Sequence, residues 1–293
     1  MQERKWSAKA FAPAHITGFF CIHDHEDKRK KGSTGCGIVL DRGAVTTATY
    51  TEELEDTLIF LNGKQVDGNT TRTVVNMLTD IPLLVESVTN MPIGCGFGAS
   101  GAGALSTAYA VNDVLSLNLT SSEIIETAHV AEVVNRSGLG DVIAQSYGGV
   151  VIRTAPGAPQ YGDVDWIPAA GKEVLCLALG ELGTSSIISD PDLAWRINSM
   201  GKGSMKRLMK SPTFETFMQC SQDFAFGTGL ASNIVTDIIE AVGSAGGIAS
   251  QAMLGESVFV TVGPDRREAV IEALSEFGEP SAYYLNNCRA GLL

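Results

Sequence analysis

The sequence predicts an α+β protein made of two packed domains, and three observations lead to that class. The chain has 293 residues, and a chain of this length usually folds around two hydrophobic cores instead of a single one. Short apolar, β-branched runs that suit strands share the chain with segments of helical period. A stretch rich in proline and glycine, PGAPQYGDVDWIP at 156–168, shows neither period. We therefore expect a domain boundary there, with domains at 1–165 and 166–293.

The first domain is predicted to begin with two strands and to continue with helices. FAPAHITGFFCI (11–22) and GIVLDRGAVTTATY (37–50) are apolar runs punctuated by glycine, which is typical of strands. Apolar residues at three- and four-residue spacing in 105–115 predict a helix. Thr120, followed three residues later by Glu123, forms the pattern of a capping box and predicts the start of the next helix.

This helix is expected to end at Gly138 and to be followed by a short helix and a strand. Asp141 begins the short helix, and Arg153 lies on the strand. On the longer helix His129, Glu132 and Arg136 are spaced to share one face. From spacing alone a solvated charged face explains these three residues, and Asp141 is explained as an ordinary helix-start carboxylate.

The second domain is predicted to combine strands with helices around an antiparallel sheet. EVLCLAL (173–179) has the composition of a buried strand, and GELGTSS (180–186) that of a turn into a helix with Thr184 near its cap. The remaining elements are expected as helices over 193–210 and 214–230, a strand at 257–262, a helix over 264–278 and a last strand at 281–287.

Charge and composition restrict the partners and the compartment. The net charge of −12 argues against nucleic acid or an anionic membrane as a general partner, since both require a broad basic surface. The start of the chain has no apolar leader and no apolar run reaches about 18 residues, so we expect a cytoplasmic protein. The six cysteines show no C-x-x-C spacing and are expected to be reduced. HDH at 23–25 is either part of a solvated loop, which we favour, or a metal pair.

The segment PIGCGFGASGAGAL (92–105) predicts a binding loop. It holds five glycines in fourteen residues and leads directly into a helix. Glycine is expected where φ is positive or where a ligand approaches the backbone. A helix N-terminus favours an anion through its unpaired amides and its dipole. The sequence therefore predicts a phosphate site at this loop.

Two familiar phosphate motifs fit this loop poorly. No segment provides G-x-x-x-x-G-K-[ST]. Gly96, Gly98 and Gly101 satisfy G-x-G-x-x-G, but the preceding VTNMP is not a buried parallel strand, and no acidic residue ends a second strand about 20 residues later. A nicotinamide-dependent oxidoreductase stays as an alternative, as does a catalytically silent binding protein.

PIGCGFGASGAGALSTA (92–108) resembles the ATP-binding motif of the GHMP kinases. AFAPAHITGFF (10–20) is similar to the substrate motif of that family, and GSAGGIASQAMLGESVFV (243–260) lies where its third glycine-rich motif belongs. In that third motif Gln251, Met253 and Leu254 replace glycines. The branch that the chain resembles most is the archaeal pantoate kinases, through these segments and HVAEVVNRSGLGDVIAQSYGGVVIR (129–153).

The resemblance implies a fold, a reaction and a set of ligands. It implies a two-domain GHMP kinase fold, with an N-terminal ribosomal-protein-like ATP-binding domain that has a left-handed crossover and a C-terminal ferredoxin-like domain. It implies ATP and Mg²⁺ as cofactors, pantoate as substrate, an archaeal source and a homodimer. Mevalonate- and homoserine-type kinases are the alternatives within the fold.

The same resemblance implies roles for individual residues. Asp141 corresponds to the catalytic aspartate, and Ser100 and Glu132 to the metal ligands. His129, Arg153 and Thr184 are expected to contact pantoate, as are His15 and Ser33. From spacing alone Arg153 would be a surface ion-pair partner, His129 a buried histidine with its own partner and Thr184 an ordinary cap. The residues implied in nucleotide binding are Gly94, Gly96, Gly98, Ala99, Ser100, Gly101, Ala102 and Glu132.

Overall fold

The computed structural model describes residues 6–180 and 191–293. Two sheets, each covered by helices, organise this part of the chain. In chain order the elements are β1 (Ser7–His23), β2 (Gly32–Tyr50), β3 (Leu58–Leu61), β4 (Lys64–Gln65), α1 (Asn69–Leu78), β5 (Leu83–Thr89), α2 (Ala99–Val114), α3 (Ser121–Asn135), α4 (Asp141–Gln145), β6 (Val150–Ala155), β7 (Asp163–Ile167), β8 (Glu173–Gly180), α5 (Pro191–Lys210), α6 (Phe214–Thr228), α7 (Asn233–Ser244), β9 (Ile248–Gln251), β10 (Glu256–Thr261), α8 (Arg267–Ser275), β11 (Ser281–Tyr284) and β12 (Gly291–Leu292).

The larger sheet is built around the long antiparallel pair of β1 and β2. Its order is β12-β1-β2-β5-β3-β4. In addition β6 pairs with β2, and β7 pairs with β6. The half of β2 at 44–50 pairs with β5, and the half at 35–38 pairs with β6. Register shifts interrupt the β1–β2 ladder between Pro13 and His15 and between Thr17 and Phe19. Such shifts bend a strand and redirect its side chains, and these two lie beside the candidate site.

Helix α2 occupies the centre of the first domain. Its small apolar side chains, among them Ala104 and Ala108, are fully buried, so the helix packs closely on the sheet. Helix α3 lies against α2 and begins with the predicted capping box, in which Thr120 accepts from the Glu123 amide and the Glu123 carboxylate accepts from the Thr120 amide. It ends at Asn135, with Arg136 as its left-handed C-cap, slightly before the predicted Gly138.

The smaller sheet has the order β11-β8-β10-β9, and all its pairings are antiparallel. The chain runs from β8 through helices to the β9–β10 hairpin, and then through α8 to β11, which is the split βαβ arrangement of a ferredoxin-like domain. The α+β class and the ferredoxin-like second half are thereby confirmed, together with its predicted strands and helices in the described residues.

The two sheets share one core, and the chain returns to the first sheet at its end. Phe19 and Phe20 of β1 contact Phe217 and Phe224 of α6. Strand β12 pairs with β1 next to Ala10. The segment 156–168, where we expect the domain boundary because it shows neither period, contains β7, and β7 pairs with β6. The domain boundary at 165/166 stays a prediction.

All six cysteines are free thiols, and five of them are buried. Among the helices of the described residues, none combines the length and the apolar character that a membrane span requires.

Candidate active site

A cavity of about 420 Å³ lies where the glycine loop, α3, α4 and the second domain meet. The glycine loop and α2 form one wall, and Glu132, Asp141 and Arg153 form the polar end. Met253 and Leu254 of the second domain face it from the other side. A cleft that gathers glycines and buried charged groups from several elements is the expected form of a small-molecule site.

The glycine loop adopts a backbone that requires glycine. Gly94, Gly96 and Gly98 have φ values of 74°, 84° and 63°, in the left-handed region that side chains disfavour. The loop also passes close to its neighbours, since a Cβ at Gly98 would stand 2.9 Å from Nε2 of Gln145 and 3.1 Å from the carbonyl oxygen of His15. The alternating glycines therefore shape the loop, as the sequence predicted.

Helix α2 presents its N-terminus to the cavity. Its N-cap is Gly98, its first turn holds no acidic residue, and no side chain in the described part of the chain caps it. The Ala102 amide bonds the Gly98 carbonyl at 3.0 Å, so the amides of Ala99, Ser100 and Gly101 come before the first helical bond. Unpaired amides and the positive end of a 16-residue helix form an anion site.

Glu132 is a buried carboxylate, 1% exposed, at the base of this wall. A series of hydroxyl groups connects it to the phosphate loop. Ser100 Oγ donates to Thr70 Oγ1 at 3.4 Å, Thr70 lies 3.1 Å from Ser137 Oγ, and Ser137 donates to Oε1 of Glu132 at 3.2 Å. Oε2 of Glu132 has no hydrogen-bond partner among residues 6–180 and 191–293. An orphaned buried oxygen beside hydroxyl ligands fits a hard cation such as Mg²⁺.

The electrostatics of Glu132 support the same interpretation. Burial, and then the negative charge of Asp141, raise the pKa of Glu132 to about 8. A buried carboxylate with no countercharge binds a proton instead. A cation bound at Oε2 would favour the ionised form, so the site is suited to hold either a proton or a metal ion.

Asp141 is the first residue of α4, and its side chain is 24% exposed. Its Oδ1 accepts a hydrogen bond of 2.6 Å from Nδ1 of His15, which is fully buried on β1. Burial tends to raise the pKa of Asp141, but this hydrogen bond and the charge of Arg153 lower it below the ordinary value. Asp141 is therefore ionised, whereas Glu132 carries a proton until a cation binds in its place. The two carboxyl groups can thus serve different purposes, Asp141 as a proton acceptor and Glu132 as a metal ligand.

Arg153 lies on β6 with its guanidinium at the polar end of the cavity, and the residue is 2% exposed. Its Nε and Nη1 atoms lack hydrogen-bond partners within the part of the chain that the structure describes. Gly140 makes room for it, since a Cβ there would stand 2.6 Å from Nε of Arg153 and 2.5 Å from Oγ of Ser33. A buried guanidinium with two unused donors beside a serine hydroxyl is suited to a ligand carboxylate.

The other three residues expected to contact substrate are placed differently. His129 is buried, but its Nε2 donates to the Lys31 carbonyl at 2.9 Å, and it is not among the residues that line the cavity. Its position supports the loop before β2. His15 contacts Asp141 and is also not a cavity-lining residue. Thr184 lies outside the described residues. The substrate roles of these residues stay predictions.

The third glycine-rich motif forms the turn between β9 and β10. Gln251 holds this turn through Nε2, which donates to the Gly255 carbonyl at 3.1 Å. The Met253 amide donates to the Thr17 carbonyl at 3.0 Å, and Gly255 packs against the backbone of Cys95 and Gly96. Leu254 has a φ of 64°, so a glycine-like conformation is kept there without glycine. The turn thus supports the outer side of the glycine loop.

Three further residues of the site were not singled out from the sequence. Thr70 and Ser137 complete the hydroxyl series to Glu132. Gln145, fully buried on α4, donates to the Gly98 carbonyl at 2.8 Å and so connects Asp141's helix to the glycine loop. Of these three, only Gln145 could have been noticed in the sequence, because it lies one helical turn after Asp141. The hydroxyl contacts of Thr70 and Ser137 form only in the folded chain, so no local pattern indicates them.

Part of the cavity lining is apolar. It includes Ile59 and Phe60 of β3, Val66 after β4 and Ile93 before the first glycine. A slot with apolar walls next to a phosphate-binding loop suits a flat aromatic base.

The sheet also excludes the dinucleotide-binding alternative, because β3 and β5 form the one parallel pair among the described strands, whereas that fold needs a mostly parallel sheet.

The glycine loop, the N-terminus of α2 and the carboxylates of Glu132 and Asp141 line one cavity, which is the arrangement expected of a GHMP-type kinase. Residues 69–149 match the model described as GHMP kinases N terminal domain. The chain is 36% identical to "Pantoate kinase" of Methanocaldococcus jannaschii, over 92% of this chain and 97% of that protein. It is 33% identical to "Pantoate kinase" of Thermococcus kodakarensis, over 93% of each. The chain belongs to the pantoate kinase family, within the GHMP kinases.

Solved structures agree with this assignment. A structure titled "Phosphotransferase related to CoA biosynthesis pathway" superposes with a TM-score of 0.89 at 30% identity, over 98% of both chains. Mevalonate diphosphate decarboxylase from Enterococcus faecalis superposes with a TM-score of 0.79 at 17% identity, over 98% of this chain and 99% of that one. The second likeness concerns the fold alone.

Proposed function

We propose that the protein transfers the terminal phosphoryl group of ATP to the terminal hydroxyl of pantoate, a step in coenzyme A biosynthesis. The observation that carries the proposal is Arg153, a buried guanidinium that lines the same cavity as the glycine loop and whose Nε and Nη1 find no hydrogen-bond partner in residues 6–180 and 191–293. In a chain of net charge −12, a cation buried in this way indicates an anionic acceptor. Pantoate carries a carboxylate as well as the hydroxyl to be phosphorylated.

ATP is expected to lie along the wall formed by the glycine loop. The unpaired amides of Ala99, Ser100 and Gly101 would face its phosphates, and Gly94, Gly96 and Gly98 let the backbone approach them. The Ala102 amide is already bonded to the Gly98 carbonyl, so Ala102 would contribute only its small side chain. The apolar slot beside Ile59 and Ile93 would hold the base. Phosphoryl transfer depends on positioning and on neutralised charge, and this loop supplies both.

Ser100 and Glu132 are proposed to hold Mg²⁺. They supply one hydroxyl and one carboxylate oxygen, which leaves room for phosphate oxygens and water in an octahedral site. A bound Mg²⁺ neutralises negative charge on the transferred phosphoryl group. Ser137 donates to Oε1 of the carboxylate, which leaves Oε2, an atom with no hydrogen-bond partner in the part of the chain described, for the ion.

Arg153 and Ser33 are proposed to hold the pantoate carboxylate. A guanidinium can donate two parallel hydrogen bonds to a carboxylate, and the serine hydroxyl adjoins it across Gly140. Phe20 and Leu139 also line the cavity, and these apolar side chains suit the two methyl groups of pantoate. The carboxylate then fixes which hydroxyl points toward the phosphate loop.

Asp141 is proposed to orient the acceptor hydroxyl and to receive its proton. Its ionised state is the one that a proton acceptor requires. A Cβ added at Gly101 would contact both Asp141 Cβ at 3.1 Å and Glu132 Oε2 at 3.1 Å. Asp141 therefore adjoins the first turn of α2, where the reacting phosphate would lie.

A coupled ADP-release assay tests the proposal. Purified protein is given ATP and Mg²⁺ with pantoate, mevalonate, homoserine or galactose in parallel. We expect rapid ADP release with pantoate and little with the others. Turnover with a different alcohol would contradict the substrate assignment, and ATP binding without turnover on any acceptor would favour a silent binding protein.

We also propose a homodimer and a cytoplasmic location. Light scattering after size-exclusion chromatography is expected to give twice the mass of the chain. A mass equal to that of one chain at micromolar concentration would contradict the dimer.

A further inference from the structure

His15 makes the shortest side-chain contact with the proposed proton acceptor. Its Nδ1 lies 2.6 Å from Oδ1 of Asp141, and the ring is fully buried. The residue follows the register shift between Pro13 and His15 in β1. Because His15 does not line the cavity, it reaches the substrate only through Asp141.

The ring of His15 is held firmly in this orientation. The His15 amide donates to the Phe97 carbonyl at 3.1 Å, which ties this residue to the glycine loop. On the opposite side the ring packs directly on Gly37, where a Cβ would overlap Nε2. No group in residues 6–180 or 191–293 forms a hydrogen bond with Nε2. The ring is therefore positioned by packing on one side and by Asp141 on the other.

The protonation of this pair follows from its surroundings. Burial lowers the pKa of His15, and the hydrogen bond with Asp141 only partly offsets this effect. The ring is then neutral, and because an ionised carboxylate can only accept, the single ring proton lies on Nδ1. This proton forms the hydrogen bond to Oδ1 of Asp141, so Oδ2 is available for the acceptor hydroxyl.

We propose that His15 is a positioning residue for the phosphoryl transfer, which fixes the Asp141 carboxylate so that one oxygen faces the acceptor hydroxyl. The same residue ties Asp141 to the glycine loop through Phe97. One residue of β1 thereby sets the distance between the proton acceptor and the phosphate site. This role differs from the substrate contact that the sequence suggested, and it rests on the proposed function.

Two variants whose side chains have the same number of heavy atoms and the same branch at Cγ test the role. His15→Leu removes the donor and keeps an apolar group in the buried pocket. His15→Asn places an amide donor close to the position of Nδ1. We expect His15→Leu to lower kcat by about tenfold to a hundredfold, since small misplacement of a reacting group costs about this much. The KM values for pantoate and ATP should stay within about twofold. His15→Asn should recover most of kcat.

Thermal unfolding and pantoate binding by calorimetry accompany the kinetics, so that a folding defect is recognised separately. An unaltered kcat in His15→Leu would overturn the proposal. A raised pantoate KM at unaltered kcat would overturn it in favour of direct substrate contact, and an Asn variant as slow as Leu would show that the donor is not the cause. The wild-type assay is read first, because absence of ADP from pantoate would instead contradict the proposed function.

Discussion

A methyl group added at Gly101 would stand 3.1 Å from Oε2 of Glu132, so the first turn of α2 and the buried carboxylate are in close contact. The same group would lie 2.9 Å from Oε1 of Gln145. These distances are tighter than ordinary packing, and the groups that would have to move belong to the site. Gly101 is thus a spacer between the phosphate loop and the proposed metal ligand.

Gly101→Ala should therefore reduce activity by about tenfold or more while leaving the fold intact, because displacement of positioned groups is costly to the reaction. Alanine's better helix propensity offsets part of the crowding, by about 1 kcal/mol. Gly203→Ala on α5, where an added Cβ meets nothing within 4 Å, is the matched control and should gain stability at unaltered kcat. Equal activity of both variants, measured by steady-state kinetics, would argue against the spacer role.

Glu132→Gln should stabilise the protein in alkaline solution when nucleotide and Mg²⁺ are absent. The folded protein keeps a proton on Glu132 up to a pH of about 8, whereas the ordinary pKa is 4.5. The stability that this proton contributes is complete below the unfolded pKa and is lost as the pH rises through about 8. Glutamine has no such proton to lose.

Thermal unfolding of the wild type and Glu132→Gln between pH 5 and pH 9 measures this effect. The Tm of the variant should exceed that of the wild type by a margin that grows with pH. In proteins of roughly this size, each kcal/mol of unfolding free energy shifts the Tm by about 2–4 °C. A margin independent of pH would show that Glu132 is ionised in the folded protein without metal.

Asp141→Asn should lower kcat by about two orders of magnitude or more, because asparagine keeps the shape of the side chain and cannot accept a proton. Nucleotide affinity should stay near that of the wild type, since the loop amides hold the phosphates. Calorimetric titration with ATP and the ADP-release assay separate the two effects. Full turnover in this variant would remove Asp141 from its proposed role.

Arg153→Met should lower the affinity for pantoate by about tenfold to a hundredfold, because a charge-assisted hydrogen bond contributes about 1.5–3 kcal/mol of binding free energy. Methionine fills much of the same space and needs no partner when buried. The KM for ATP should be unaffected, and a given concentration of pantoate should raise the Tm less than it does in the wild type. An unaltered pantoate KM would contradict the carboxylate assignment.

Local signals in the sequence predicted most of the elements that build the site. The glycines of 92–105 indicated the loop because the positive φ values at Gly94, Gly96 and Gly98 disfavour other residues. Thr120 and Glu123 indicated the start of α3, because a capping box acts within a single turn. The positions of Glu132, Asp141 and Arg153 in one cavity followed from the family resemblance, since spacing alone favoured solvated charges.

The remaining features depend on contacts between distant parts of the chain. Strand β12 is two residues long and pairs with β1 more than 270 residues away, so no local pattern predicts it. Thr70 meets Ser137 only after α1 and α3 pack together. The contact between His15 and Asp141 requires the register shift in β1, and a shift of this kind is set by tertiary packing.

Phosphorus–proton correlation NMR of the reaction product shows directly whether the terminal hydroxyl of pantoate is phosphorylated. We expect one new phosphomonoester for each ADP formed, with its phosphorus coupled to the two protons of the terminal CH₂ group of pantoate. A phosphorus coupled to the single proton beside the secondary hydroxyl, or release of inorganic phosphate without a phosphomonoester, would contradict the placement of Asp141 and Arg153 around the acceptor.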